Sequence, residues 1–138
     1  VFRVGTPGNL MPNNTNTDCI SYCWHDVEGM QKFSTYTGNG NADGTFIYTG
    51  FRPAFIFLKN AEQSASWLLH DNKRDTHNPV NEILLWNTSD AEFESGDRVD
   101  FLSNGFKLRN SNAGMNGSGT NYIYGAWGDV PFKYNNTF

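Results

Sequence analysis

Residues 98–109 read Arg98-Val99-Asp100-Phe101-Leu102-Ser103-Asn104-Gly105-Phe106-Lys107-Leu108-Arg109. Apolar and polar side chains alternate through most of both arms flanking Asn104-Gly105, and alternation with a period of two is the mark of a half-buried strand. Asn-Gly supplies the two left-handed backbone positions of a two-residue type I′ turn, so a hairpin is expected with its turn on Asn104-Gly105. That register sets Phe101 opposite Leu108 and Asp100 opposite Arg109. Val99, Phe101, Phe106 and Leu108 then share the core face, and Arg98, Asp100, Lys107 and Arg109 the wet one.

Outward from this hairpin, short apolar runs recur with turn signals between them. Strands are expected near 2–4, 18–25, 32–36, 45–49, 54–59, 66–70, 82–86, 98–103, 106–109 and 120–127. The stretches 38–44, 71–79 and 110–119 read as loops, and Ser89 to Asp97 as a polar loop. Ala54-Phe55-Ile56-Phe57-Leu58 does not alternate and reads as a central strand covered on both faces. Pro53 before it stands where a missing N–H is tolerated, at a strand's first residue. Eleven Phe, six Tyr and four Trp favour strands, while fourteen Gly and eighteen Asn favour tight turns. No stretch keeps helical periodicity over three turns. An all-β antiparallel sandwich or barrel follows.

At 138 residues the chain makes one domain, long enough to bury a core without disulfide or metal support. The net charge is −4 and no block of Lys or Arg stands out, which argues against nucleic-acid binding. The longest apolar run, Ala54–Leu58, is too short to span a membrane. The chain starts at Val1 with no signal peptide, as expected for a piece of a longer polypeptide. On a shared strand Cys19 and Cys23 would lie about 13 Å apart, too far for a disulfide. Two sulfurs also fall short of a closed zinc site, so both thiols read as small buried hydrophobes, compatible with assembly in a reducing cytosol. Asn13, Asn87, Asn116 and Asn135 open Asn-x-Ser/Thr triplets, which an Asn-rich chain produces by chance.

The two ends of the chain resemble each other. Phe2-Arg3-Val4 matches Phe106-Lys107-Leu108, and Met11 matches Met115. After a one-residue gap, Ile20 matches Ile123, Trp24 matches Trp127, and Asp26-Val27 matches Asp129-Val130. This spacing suggests tandem modules, with residues 1–27 as the C-terminal strands of a preceding copy and 28–138 as a full β-sandwich module. The rival is pseudo-symmetry, with 1–27 supplying N-terminal strands of the same sandwich. In either case Ile20 and Trp24 share one side of a strand, as do Ile123 and Trp127, which suits a repeated scaffold position.

Several stretches carry a resemblance to a known family. They are Tyr22-Cys23-Trp24, Lys32-Phe33-Ser34-Thr35-Tyr36-Thr37-Gly38-Asn39-Gly40, Tyr48-Thr49-Gly50-Phe51-Arg52-Pro53-Ala54-Phe55, Asn78-Pro79-Val80-Asn81, Asp100-Phe101-Leu102-Ser103-Asn104-Gly105-Phe106-Lys107 and Tyr122-Ile123-Tyr124. In these the chain resembles the uncharacterised modules near the C-termini of bacteriophage tail-fibre, tail-spike and related virion proteins. Asp129-Val130-Pro131 departs from the pattern, where a more acidic, Asn-containing stretch is expected. The resemblance implies a structural or adhesive module on the particle surface or tail, assembled in the host cytoplasm. Its implied partners are other virion proteins and further copies of itself, with a trimer favoured. It implies no catalytic residue, ligand or cofactor. The strand order also resembles concanavalin-A-like jelly rolls, which implies a jelly-roll, lectin-like sandwich.

Chemistry finds little purchase in the sequence. A glycosidase needs two carboxylates across a cleft. Glu92 and Glu94 flank Phe93, but in a stretch read as a solvated loop, so a polysaccharide-degrading enzyme is the weakest reading. No Gly-x-Ser-x-Gly elbow, Cys-His pairing, phosphate loop or metal-ligand spacing is present, and Asp71, Asn72 and Asp75 read as a polar turn rather than a calcium site. The loop His70-Asp71-Asn72-Lys73-Arg74-Asp75-Thr76-His77-Asn78 follows Trp67 and is dense in donors and acceptors. Sugar sites combine an aromatic platform with such groups. Trp67, His70, Asp71, Asn72, Arg74 and Asn78 are therefore the candidate ligand-binding residues for a host-surface glycan. The simpler reading makes Trp67 and Trp86 core residues and Asp71–Arg74 a local ion pair.

Overall fold

The computed structural model describes Asp18 and residues 20–129. Eight strands follow in order: β1 (Gln31–Thr37), β2 (Phe46–Tyr48), β3 (Pro53–Asn60), β4 (Leu68–Asp71), β5 (Val80–Leu85), β6 (Phe93–Leu102), β7 (Gly105–Leu108) and β8 (Asn121–Gly128). No helix occurs among the described residues. The strands are linked in the order β1-β8-β3-β4-β5-β6-β7-β2, antiparallel throughout. β5 turns the corner: Val80, Glu82 and Ile83 pair with β6, and Leu84 and Leu85 pair with β4. We call β1-β8-β3-β4 with the end of β5 sheet I, and the start of β5 with β6-β7-β2 sheet II. β3 to β7 form a meander, while the β1–β8–β3 and β2–β7 pairings join strands far apart in sequence, so the chain is an all-β antiparallel sandwich.

The core lies between the sheets. Ile56, Leu58, Leu68, Tyr122, Tyr124 and Ala126 of sheet I meet Val80, Ile83, Val99, Phe101, Phe106 and Leu108 of sheet II, all buried. Buried phenols need partners for their hydroxyls. The Tyr36 hydroxyl donates to the Met115 carbonyl at 2.7 Å, and Tyr122 donates to the Ala113 carbonyl at 2.7 Å and accepts the Gly117 N–H at 2.8 Å. Asparagine knits the loops at this end. The fully buried Asn116 side chain accepts the Asn39 N–H at 3.0 Å. Its amide nitrogen lies 2.6 Å from the Asn110 carbonyl and 2.9 Å from that of Asn41.

The hairpin of residues 98–109 forms, with a different register. Phe101 pairs with Phe106, Asp100 with Lys107 and Leu102 with Gly105, so the turn falls on Ser103-Asn104. Neither Asn104 nor Gly105 has positive φ. Gly105 serves close approach instead: a Cβ there would sit 2.1 Å from the Ile47 carbonyl oxygen of β2. The slip is by two residues, which leaves every side chain on its expected face. Val99, Phe101, Phe106 and Leu108 are buried, as the alternation predicts.

Two further expectations are corrected. β6 begins at Phe93, inside the stretch read as a loop, because β5 offers Ile83 and Glu82 as partners for Phe93 and Glu94. A ladder partner supplied by the tertiary fold overrides polar local sequence. Within the stretch read as a strand at 18–25, residues 20–25 join no ladder. A turn at Val27–Gln31, with Gly29 at φ 73°, folds this segment back over the sheet, where it makes side-chain contacts in place of a ladder. The strand expected at 2–4, Met11 and Cys19 lie outside the described residues.

Candidate functional site

Alternation gives each sheet an outer face, and the two differ in chemistry. Sheet II carries Lys107, 2.6 Å from Asp43, and Arg109, 2.5 Å from Asp100, beside the exposed Phe46 and Tyr48 of its edge strand β2. The Lys107 hydrogen bond and charge hold the Asp43 carboxyl below its ordinary pKa. Sheet I is aromatic. Its row Phe33–Gly125–Phe57 crosses β1, β8 and β3. Gly125 is what lets the neighbouring rings close over β8, since a Cβ there would meet the Phe57 ring at 2.5 Å and the Phe33 ring at 2.9 Å. Trp127 stands beside them, with centroids 5.2 Å from Phe33, 5.2 Å from Phe55 and 5.9 Å from Phe57. Phe57 continues the surface to Trp67 and Trp86, each at 5.6 Å. The two indoles meet at 90° with centroids 6.2 Å apart.

Segment 20–26 lies over this surface. Trp24 stacks on Phe33 at 5.8 Å and meets Trp127 edge-on at 6.3 Å, and Tyr22 stacks on Trp24. The Asp26 carboxylate accepts the Phe33 N–H at 2.8 Å, and the Gln31 side chain donates to the His25 carbonyl at 2.7 Å. Between this segment and the sheet edge opens a cleft of about 660 Å³, lined by Ile20, Ser21, Tyr22, Trp24, Phe57, Trp67, Trp86, Asn87 and Ile123. None of these side chains is charged. Trp86 is 52 % exposed, Trp24 47 % and Tyr22 73 %. A contiguous exposed apolar patch of this kind marks a contact or binding surface.

The sequence-predicted site residues do not converge on that cleft. Trp67 lines it, and the Asn87 side chain accepts the Trp67 backbone N–H at 2.9 Å. His70 points the other way, fully buried between the sheets, with no hydrogen-bond partner for either ring nitrogen. Burial, then the Arg74 charge, lowers its pKa to about 4, so it is neutral at pH 7. Asp71 and Arg74 form the local ion pair at 2.6 Å, and Arg74 also reaches Glu92 at 3.3 Å. Burial works to raise the Asp71 pKa, but the hydrogen bonds and charge of Arg74, with the Lys73 N–H, outweigh it and hold it low. The Asn72 amide donates to Asp129 at 3.3 Å. The Asn78 side chain brackets the Phe101 backbone, donating to its carbonyl and accepting its N–H, both at 2.9 Å, which braces the 71–79 loop against β6.

Sequence reasoning missed Trp86, which the simpler reading placed in the core, and the cover supplied by Tyr22 and Trp24. The available signal was Gly125: a glycine in the aromatic strand 121–128 marks close approach by neighbouring rings. It also missed that Glu82 and Glu94 stand opposite each other on β5 and β6. Burial and the charges of Glu92, Asp75 and Glu94 raise the Glu82 pKa. Among the described residues no group of three or more His, Cys, Asp or Glu side chains could hold a metal ion. Among those residues no helix is long and apolar enough to cross a membrane.

The sequence profile of a family described as a domain of unknown function (DUF7483) matches residues 1–131, and the chain belongs to that family. No curated protein and no solved structure matches the chain.

Proposed function

We propose that this DUF7483 domain is a non-catalytic structural and adhesive module of a bacteriophage virion, in a tail fibre, spike or particle-decorating protein. The observation that carries the reading is the continuous aromatic outer face of sheet I, with Trp86 half exposed, on a sandwich whose other outer face mixes ion pairs with the exposed Phe46 and Tyr48. Such a surface suits contact with another macromolecule. The sequence resemblance to tail-fibre and tail-spike modules supplies the virion setting. In that setting the partners are other virion proteins and further copies of the chain, as a trimer in fibres. The test is mass spectrometry of gradient-purified particles. Peptides of this chain should co-purify at stoichiometric yield, and their absence from infectious particles would falsify the placement.

A second reading has its own support. The uncharged cleft with Trp86 half exposed, Trp67 perpendicular to it and Asn87 beside it has the make-up of a site for a neutral host-surface glycan. A multivalent form of the chain on a glycan array should then show binding that Trp86→Ala abolishes. Silence at high valency counts against this reading alone.

A further inference from the structure

We infer that the outer aromatic face of sheet I is an interface between two copies of this module, and that segment 20–26 is the last strand of the second copy. The inference rests on reading the chain as an assembly module and names the partner of its aromatic surface. Three observations carry it. First, Ile20, Tyr22 and Trp24 are spaced as Ile123, Gly125 and Trp127 are on β8, 103 residues later, with isoleucine and tryptophan conserved between the two positions. Second, the segment keeps the sidedness of β8. On β8 the alternate residues Tyr122, Tyr124 and Ala126 are buried in the core, while Trp127 packs against Phe33, Phe55 and Phe57 on the outer face. On the segment, Ile20, Tyr22 and Trp24 line the aromatic cleft, joined by Ser21, while Cys23 does not. Cys23, at the position of the fully buried Ala126, is exposed, as is Ser21, at the position of Tyr124. These are core-side positions of a β8-like strand, and no described residue packs a core against them.

Third, the cleft and its occupant match in charge. The sheet side of the cleft, Phe57, Trp67, Trp86, Asn87 and Ile123, has no ionic side chain, and neither do Ile20, Tyr22 and Trp24 on the segment side. A charged partner would lose hydration without an opposite charge to meet it. The second copy therefore presents the outer side of its own β8 face to face with sheet I, and the rest of its sheet extends over Trp67 and Trp86. The turn at Val27–Gln31 is the connection between the copies. This occupancy and glycan binding at Trp86 exclude each other.

Photo-cross-linking in the full-length polypeptide tests this, with Trp86→p-benzoylphenylalanine as the probe. Trp86 is half exposed, so the sandwich should tolerate the exchange, and the same probe at the exposed Asn87 provides an independent second position. The expected result is a cross-linked peptide from a second copy of the module, at a yield lost when the probe is moved to Tyr48, 62 % exposed at the edge of sheet II. No cross-link above the Tyr48 control from either position overturns the inference. So does a cross-link to a segment that is no copy of the module, and so does a probe site left bare until a neutral glycan is added. None of these results bears on whether the chain co-purifies with particles, so the interface and the virion placement fail separately.

Discussion

On the outside of sheet II, Lys107 pairs with Asp43 and Arg109 with Asp100; on the outside of sheet I, Phe33 and Phe57 close over Gly125 while Trp127, Trp67 and Trp86 extend the surface. Both faces come from the same period-two alternation, and both stand outside one core. Water covers the ion pairs of the first at little cost, since exposed ion pairs contribute little to stability, and its exposed Phe46 and Tyr48 are confined to the three-residue edge strand β2. The second leaves indoles half exposed, which costs hydration free energy unless something covers them. The difference separates roles within one fold. Both sheets complete the sandwich, and the proposed contact surface lies on sheet I.

Four measurements break or sharpen that contrast. Phe106→Ala removes a fully buried ring that meets Tyr124 edge-on at 5.5 Å across the core. It should cost about 3–5 kcal/mol in chemical denaturation. A loss no larger than that of a surface substitution would mean the inner faces are not what holds the sheets together.

The next effect is a pH dependence set by His70. In the unfolded chain its pKa returns to the ordinary 6.5, against about 4 when folded. Between those values the unfolded state binds the extra proton. Stability therefore falls as the pH drops through 6.5 and the His70 contribution levels off near 4, on the order of 3 kcal/mol in total. Arg74 lowers this pKa while Asp71 and Asp75 raise it. His70→Leu should flatten this part of the profile in urea melts at stepped pH. An unchanged slope would place the titration elsewhere.

Gly125→Ala tests the packing under the aromatic surface. The added methyl meets the Phe57 ring at 2.5 Å, so overpacking of about 1–3 kcal/mol is expected, with a change in the near-ultraviolet signal of the tryptophans. A neutral outcome would show that the rings have room to move. The smallest effect belongs to sheet II. Lys107→Gln removes the Asp43 pair and should leave the melting temperature within the error of the measurement at physiological salt. A clear loss there would erase the contrast between the faces.

Much of this molecule was legible along the chain, for identifiable reasons. Val99, Phe101, Phe106 and Leu108 alternate with charged or polar neighbours across most of the hairpin, so their burial followed from sequence. The register did not, because a slip by two residues preserves every face and leaves the local pattern unchanged. Phe93 and Glu94 looked like loop because their strand depends on β5, which is remote in sequence. The candidate site was legible only at Trp67. His70 carries a polar label but occupies a core position opposite Ile56, and Trp86 carries an apolar label but stands half exposed.

The sequence by itself determined most of the strands and the division of the hairpin into wet and dry sides, since these depend on neighbours two residues apart. It also determined the repeat that pairs Ile20 and Trp24 with Ile123 and Trp127. Only the tertiary structure decided the sharing of β5 between sheets and the use of Gly105 and Gly125 for close approach. It alone decided which aromatic face stayed outside. Where both sides of a strand are apolar, as in 54–58, alternation cannot say which side meets the core, and the packing of remote strands makes that choice.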